Sequence, residues 1–366
     1  MRISVWMYPW GELSESPMAA LQRLQRLGVS ELRVAVAYHP IAYPDPLSPG
    51  RTVVKPTDAV YIPWPGPDEA APVVAALADR RTEWLPRLVE SAHEVGIRVT
   101  AWLVLLRNET LQSRYPEMAI VSATGESLAG GLCLNRPATR TYALALVSAC
   151  ARTGVDQIVL ESAGLAPFYG LAVPTGNDRM RFLRGLCCSD SCQALMAGND
   201  LDAETIKARV MKGMGQPYQS LSDPDAHNWL KETELDAVQT FRNQATGEFW
   251  SVMASEAHRQ GLELGVTGRW PDTLVEGYHP ANLNQVDYFT HLWYSADLAA
   301  DVEAFVQLKT VVTTGLEVGI RVPEHRPTLG EVRGALQQGA VETVVVYNLS
   351  RIPHNRWEWL TELQDN

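Results

Sequence analysis

The stretch Val155-Asp156-Gln157-Ile158-Val159-Leu160-Glu161-Ser162 reads as a short apolar strand that ends on a carboxylate. Its β-branched run follows Gly154 and is too short for a helix, so it fits a strand covered on both faces. Working backwards, a helical pattern enters at Pro137 and stops near Gly154, and Ile97–Leu105 before it is another apolar run. The same unit recurs along the whole chain.

Ile3–Tyr8 and Glu31–Tyr38 are the first and second runs, with Ser16-Pro17 opening a helix through about Leu27 and a second helix ending before Gly96. After the fourth run, a helix from about Glu234 to Gln260 feeds Leu262–Val266, and Val286–Trp293 follows. Helix Leu298–Leu308, run Leu316–Val322, helix Leu329–Ala340, run Glu342–Tyr347 and a short helix at Arg356–Leu363 complete the pattern. Eight strand runs separated by helices point to parallel βα units closing into a barrel. No GxGxxG or GxxxxGK[ST] supports an open nucleotide-binding sheet. The expected fold class is α/β, a single (β/α)8 TIM barrel over residues 1–366 with long βα loops after strands 2, 3 and 4. Residues 162–235 are expected to form an insertion acting as lid or wall over the barrel mouth.

The 366 residues carry a net charge of −11, which disfavours nucleic acid and anionic lipid as partners. No apolar run is long enough to span a bilayer, and no signal-peptide core follows MRISVWMYPWGEL, so a cytoplasmic location is expected. Nothing in the sequence opposes assembly into a homo-oligomer. Eleven tryptophans and twelve tyrosines exceed what a core needs and suggest an aromatic cleft.

Barrel sites form where strands end, so the last residues of each run are the functional candidates. Glu161, after three apolar strand residues, has no cheap place in a packed core and is the main catalytic candidate; a structural Glu paired with an arginine is the alternative. Glycoside hydrolysis needs a second carboxylate, about 5–5.5 Å away for retention or about 6.5–9.5 Å for inversion. Glu317 and Glu324 are the candidates; Glu317 lies inside its strand and has to point into the lumen near the top, whereas Glu324 lies beyond it. Trp6, Tyr8, Tyr38, His39, Trp102, Arg107, Asn108, His291, Trp293, Tyr294, Arg321 and Asn348 all fall near strand ends, where rings stack on sugar faces and polar groups meet hydroxyls. Each is equally readable as core. Asp287 opens its strand and is expected at the opposite end.

Of the five cysteines, Cys187, Cys188 and Cys192 cluster in sequence, and Cys133 can join them from the preceding loop. A structural zinc and a set of buried thiols both fit, and adjacent cysteines make awkward joint ligands.

The order Cys133-Leu134-Asn135-Arg136-Pro137, Arg140, Glu161 and then the 187–192 cluster resembles the zinc-containing beta-galactosidases, within the superfamily whose catalytic glutamates follow strands four and seven. The resemblance spans roughly residues 98–195. It implies an acid/base role for Glu161 and a structural zinc on Cys133, Cys187 and Cys192, with no cofactor needed for catalysis. Ser189 stands where that pattern has its middle cysteine, with Cys188 beside it, and Leu160 stands where it has an asparagine before the glutamate. The whole layout also looks like bacterial barrel proteins described only as glycoside-hydrolase-like, sharing Tyr38-His39 and Ala101-Trp102.

The leading expectation is an enzyme cleaving an O-glycosidic bond in a small carbohydrate or other polyhydroxylated substrate. The alternatives are a carbohydrate-binding or catalytically degenerate barrel, and a metal-dependent hydrolase or isomerase that requires His39, His291, His325 or several acids to converge on one point.

Overall fold

In a computed structural model the chain closes into an eight-stranded parallel barrel ringed by helices. The structure describes residues 1–10, 13, 16–46, 48, 50–76, 83–165, 178–215, 223–271, 276–295, 297–321, 328–353 and 356–364. The barrel strands are β1 (Arg2–Met7), β2 (Val29–Tyr38), β3 (Arg98–Val104), β4 (Gln157–Glu161), β5 (Glu263–Gly268), β6 (Tyr288–Trp293), β7 (Gly315–Arg321) and β8 (Thr343–Tyr347). Each pairs in parallel with its sequence neighbours, and β1 closes the ring by pairing with both β2 and β8. The predicted barrel and its eight strand runs are therefore observed.

Helices α1 (Pro17–Arg26), α2 (Trp84–Glu94), α3 (Pro137–Ala151), α4 (Asp236–Arg259), α5 (Leu298–Val311), α6 (Leu329–Gln338) and α7 (Trp359–Gln364) form the outer layer, with only a four-residue helix, Pro280–Leu283, after β5. Among the described residues no helix is long and apolar enough to cross a membrane. At the bottom of the barrel Asp287 accepts the Leu264 amide at 2.8 Å and meets His258 at 2.8 Å, as expected for a residue opening its strand.

Alternation along each strand sends every second side chain into the lumen. The lowest lumen layer is polar and centred on Arg33, which is fully buried. Its Nε donates to Glu31 Oε1 at 2.7 Å, Nη1 to Thr290 Oγ1 at 2.8 Å and Nη2 to Glu317 Oε2 at 2.6 Å. Ser4, Thr100 and Arg98 satisfy the rest of Glu31. A buried charge survives only when its partners are complete, and this layer completes them. Above it, Gly319 leaves the space that Trp6 and Leu292 fill; a Cβ there would lie 2.7 Å from Leu292 and 3.0 Å from Trp6.

In β2 the pairing with β3 slips between Ala35 and Ala37. Two β2 residues then span one step of β3, a bulge, and the parity of the strand changes. Glu31, Arg33 and Ala35 face inward below the slip, and Tyr38 faces inward above it, against Trp102 with ring centroids 4.8 Å apart.

Three long loops are built up locally, the first after β2, where Ile41–Pro44 pairs with Thr52–Lys55. Ala119–Val121 pairs with Ser127–Leu132 in the loop after β3, and helices Asp178–Gly185, Asp190–Ala197, Ala203–Met214 and Asp223–Glu232 follow β4. Ile120, Leu128, Phe182, Leu183, Val210 and Trp229 belong to a second apolar cluster joining the last two of these loops, apart from the barrel core.

Candidate active site

Glu161 ends β4, paired with Val104 on one side and Thr267 on the other, and turns its carboxylate into the lumen. Ser162 beyond it adopts a left-handed backbone, φ 51°, so the chain leaves the barrel immediately after the acid. Trp102 Nε1 donates to Glu161 Oε2 at 2.8 Å. Burial raises the Glu161 pKa above the ordinary carboxylate value; the Trp102 bond and the charges of Arg107 and Arg321 pull it down but do not outweigh burial.

Around Glu161 the top layer is aromatic. Tyr8, Tyr38 and Tyr347 join their hydroxyls, with Tyr38 and Tyr347 2.9 Å apart, Tyr8 and Tyr38 3.3 Å, and Tyr8 and Tyr347 3.4 Å. Tyr8 and Tyr38 are buried and Tyr347 is only half-buried, so Tyr347 is the member of the trio that reaches the mouth. Tyr294 lies 6.1 Å from Tyr347 between centroids, and the Arg321 guanidinium stacks 4.2 Å from the Tyr294 ring. Burial and Arg107 hold His39 down at a pKa of about 4, so it is neutral at pH 7 and stacks on Tyr38. Together these groups offer one acid of raised proton affinity, flat apolar faces, phenol hydroxyls and a guanidinium.

Not every expected residue joins this layer. Glu317 faces the lumen, but two lumen positions below Arg321 on the same strand, and it is tied to Arg33 and to Thr290 Oγ1 at 2.8 Å. Its carboxylate is bound into the polar layer around Arg33. His291 and Trp293 fall on the opposite parity of β6 from Thr290 and Tyr294 and pack outward on Phe305 of α5. Among the described residues neither His39 nor His291 belongs to a group of three or more possible metal ligands. Trp6 is 1% exposed beneath Trp102 and Tyr347 and belongs to the floor. Asn348 is buried, its Oδ1 accepting from the Ser350 amide at 3.0 Å while its Nδ2 has no partner.

Asn108 is the N-cap of the helix Glu109–Arg114, its Oδ1 accepting from the Leu111 amide at 2.7 Å. Asn108→Ala is expected to cost about 1 kcal/mol of stability in urea denaturation and to leave sugar affinity unchanged. Glu324 and His325 lie outside the described residues.

Two features escaped sequence reasoning. Tyr347 stands out in the sequence only as half of the polar pair Tyr347-Asn348, of which Asn348 is the binding candidate, although alternation from Thr343 puts Tyr347 inward. Arg33 was read only as part of an apolar run, although Glu31-Leu32-Arg33 places two charges on one face of a strand, a pattern that demands a buried partner.

A second cluster lies in the loops. The sulfurs of Cys133, Cys187 and Cys192 all lie within 4.8 Å of one another, with Cys133 and Cys192 3.4 Å apart. Tetrahedral zinc, with bonds of about 2.3 Å, holds its sulfurs about 3.8 Å apart, so the donor set fits such an ion. Asn135 Nδ2 donates to Cys192 Sγ at 3.5 Å, an outer hydrogen bond of the kind that steadies a metal thiolate. Cys188 does not belong to the set. Its neighbour Cys187 joins the trio, successive side chains diverge, and Cys188 Sγ instead faces the Leu186 carbonyl at 4.0 Å.

No family model matches the chain, and no curated protein matches it in sequence. Solved structures do match in shape. The catalytic domain of beta-amylase from Paenibacillus polymyxa superposes with a TM-score of 0.60 at 12% identity, covering 99% of this chain and 97% of that one. A beta-galactosidase from Halorubrum lacusprofundi gives 0.63 at 12% identity, covering 99% and 57%, and alpha-L-fucosidase isoenzyme 2 from Paenibacillus thiaminolyticus gives 0.57 at 11%, covering 99% and 48%. The chain spans about half the length of the latter two. At these identities the likeness establishes the barrel fold, one that glycoside hydrolases share.

Proposed function

We propose that the barrel hydrolyses an O-glycosidic bond of a small carbohydrate, with Glu161 as the general acid. The observation that supports this most is the placement of Glu161: a carboxyl with a raised proton affinity at a strand end, held by one indole N–H inside an aromatic layer. A general acid must keep its proton near working pH, and burial shifts Glu161 in that direction. Trp102, Tyr294 and Tyr347 offer ring faces and hydroxyls suited to a sugar, and Arg321 offers a donor at the rim.

In the step we assign, Glu161 gives its proton to the glycosidic oxygen as the C1–O bond breaks and its electron pair moves to that oxygen. Glu317 is committed to Arg33, so we assign the second carboxylate to Glu324, three residues after β7 in sequence. Glu324 either attacks C1 itself or takes a proton from the water that does. Water is consumed and Glu161 is reprotonated at the end of the cycle. Product stereochemistry, followed by proton NMR, separates the two routes.

The test is turnover of a panel of aryl glycosides. Trp102→Phe deletes a hydrogen bond that favours the ionised acid, so the Glu161 pKa should rise further. The alkaline limb of the kcat/KM profile is expected to move to higher pH; a limb that stays put or moves down counts against Glu161 as the acid. A second reading, a barrel that binds sugar without cleaving it, is supported by the charges acting on Glu161, which come from Arg107 and Arg321 and not from a carboxylate. It is adopted if sugars quench tryptophan fluorescence saturably, no glycoside turns over, and Glu161→Gln binds unchanged.

We further propose that Cys133, Cys187 and Cys192 hold a structural zinc. The ion would tie the loop after β3 to the insertion after β4, which supports the wall of the mouth.

A further inference from the structure

The zinc reading rests on three sulfurs, and tetrahedral zinc takes four ligands. Ser189, the hydroxyl nearest the trio, is already engaged: its Oγ accepts from the Cys192 amide at 3.4 Å as the N-cap of helix Asp190–Ala197, and lies 3.2 Å from Cys187 Sγ. No His, Asp, Glu or further Cys among the described residues joins the group. What adjoins the sulfurs instead is a cavity of about 30 Å³ lined by Cys133, Cys187, Cys192, Asn135, Leu165 and Phe241, among others. A water needs roughly 10–15 Å³ of such space and two or more polar partners. Asn135 supplies one: its Oδ1 is buried and has no hydrogen-bond partner among the described residues, while its Nδ2 is spent on Cys192.

We infer that the fourth position of this metal site is open, filled by an exogenous water-sized ligand that donates a hydrogen bond to Asn135 Oδ1. The inference rests on the zinc reading. A metal with three protein ligands and one exchangeable one differs chemically from a closed structural site: small anions and other donors of the same size can enter its inner sphere.

Cobalt(II) substituted into the full-length protein reports both coordination and exchange through its visible spectrum. The wild type is expected to show intense tetrahedral d–d bands with thiolate charge transfer, and sodium azide should shift the d–d bands saturably. Cys188→Ala should behave identically. Bound cobalt whose bands ignore azide overturns the open position and leaves the metal site standing; an azide response that appears only in Asn135→Ala identifies the Asn135 oxygen as the closing ligand. Loss of the bands in Cys188→Ala overturns it by making Cys188 the fourth ligand. Cobalt that never binds overturns the metal site itself.

Discussion

Glu161→Gln is expected to lower kcat on an alkyl or phenyl glycoside by about 10²–10⁴-fold, the range over which a positioned acid contributes. The amide keeps an oxygen for the Trp102 N–H, so the layer of Trp102, Tyr294 and Tyr347 stays in place and only the proton is lost. The loss should shrink sharply for a dinitrophenyl leaving group, which departs without protonation. Folding is not the cause, and the sign can be worked out. The folded pKa of Glu161 is raised above its unfolded value, so its contribution to stability is fully present below the unfolded pKa and is lost as pH rises through the folded one. Glutamine never ionises. The variant should therefore melt no lower than the wild type at pH 8, and equal losses of activity on all leaving groups would contradict the assignment.

The second large effect is on stability. Arg33→Met is expected to lose about 3–5 kcal/mol in urea denaturation, because it strands carboxylates in a layer built around one guanidinium. Glu31 is 1% exposed and Glu317 13% exposed at the side chain, and both are bonded to Arg33. Burial raises the Glu31 pKa, but the charge and hydrogen bond of Arg33 win, leaving it below its ordinary value. That group's contribution is present above its unfolded pKa and is lost as pH falls through the folded one, so the layer should weaken in acid. Glu317→Gln is the informative companion. It keeps an acceptor for Arg33 Nη2 and is expected to retain the wild-type kcat while losing a smaller share of stability; a collapse of kcat with stability intact would instead make Glu317 a catalytic residue.

The barrel was legible because βα units repeat a coarse signal, apolar runs alternating with helices, that survives errors of a residue or two at each boundary. Site residues depend on something finer, the parity of each strand. His291 and Trp293 look like strand-end residues, yet both sit on the helix-facing parity of β6, and one step along the strand brings Thr290 or Tyr294 inward instead. Tyr38 shows the opposite case: without the slip between Ala35 and Ala37 it would face the helices. Glu317 has the right parity, but its carboxylate is engaged by a salt bridge to Arg33, 284 residues earlier in the chain, a partner that local sequence does not reveal. Glu161 was legible because a carboxylate closing three apolar residues is costly anywhere but a barrel mouth. The cysteine trio was legible in Cys133, Cys187 and Cys192, while the divergence of neighbouring side chains, which excludes Cys188, is settled only by the local backbone.

The most direct measurement is a crystal structure of the protein with a non-hydrolysable thioglycoside in the mouth, from which the distance between the carboxyl groups of Glu161 and Glu324 is read. The account predicts that they flank the anomeric carbon at about 5–9.5 Å from each other. A sugar bound against Trp102 and Tyr294 with Glu324 well beyond about 10 Å and no other carboxylate facing Glu161 would contradict hydrolysis by this pair.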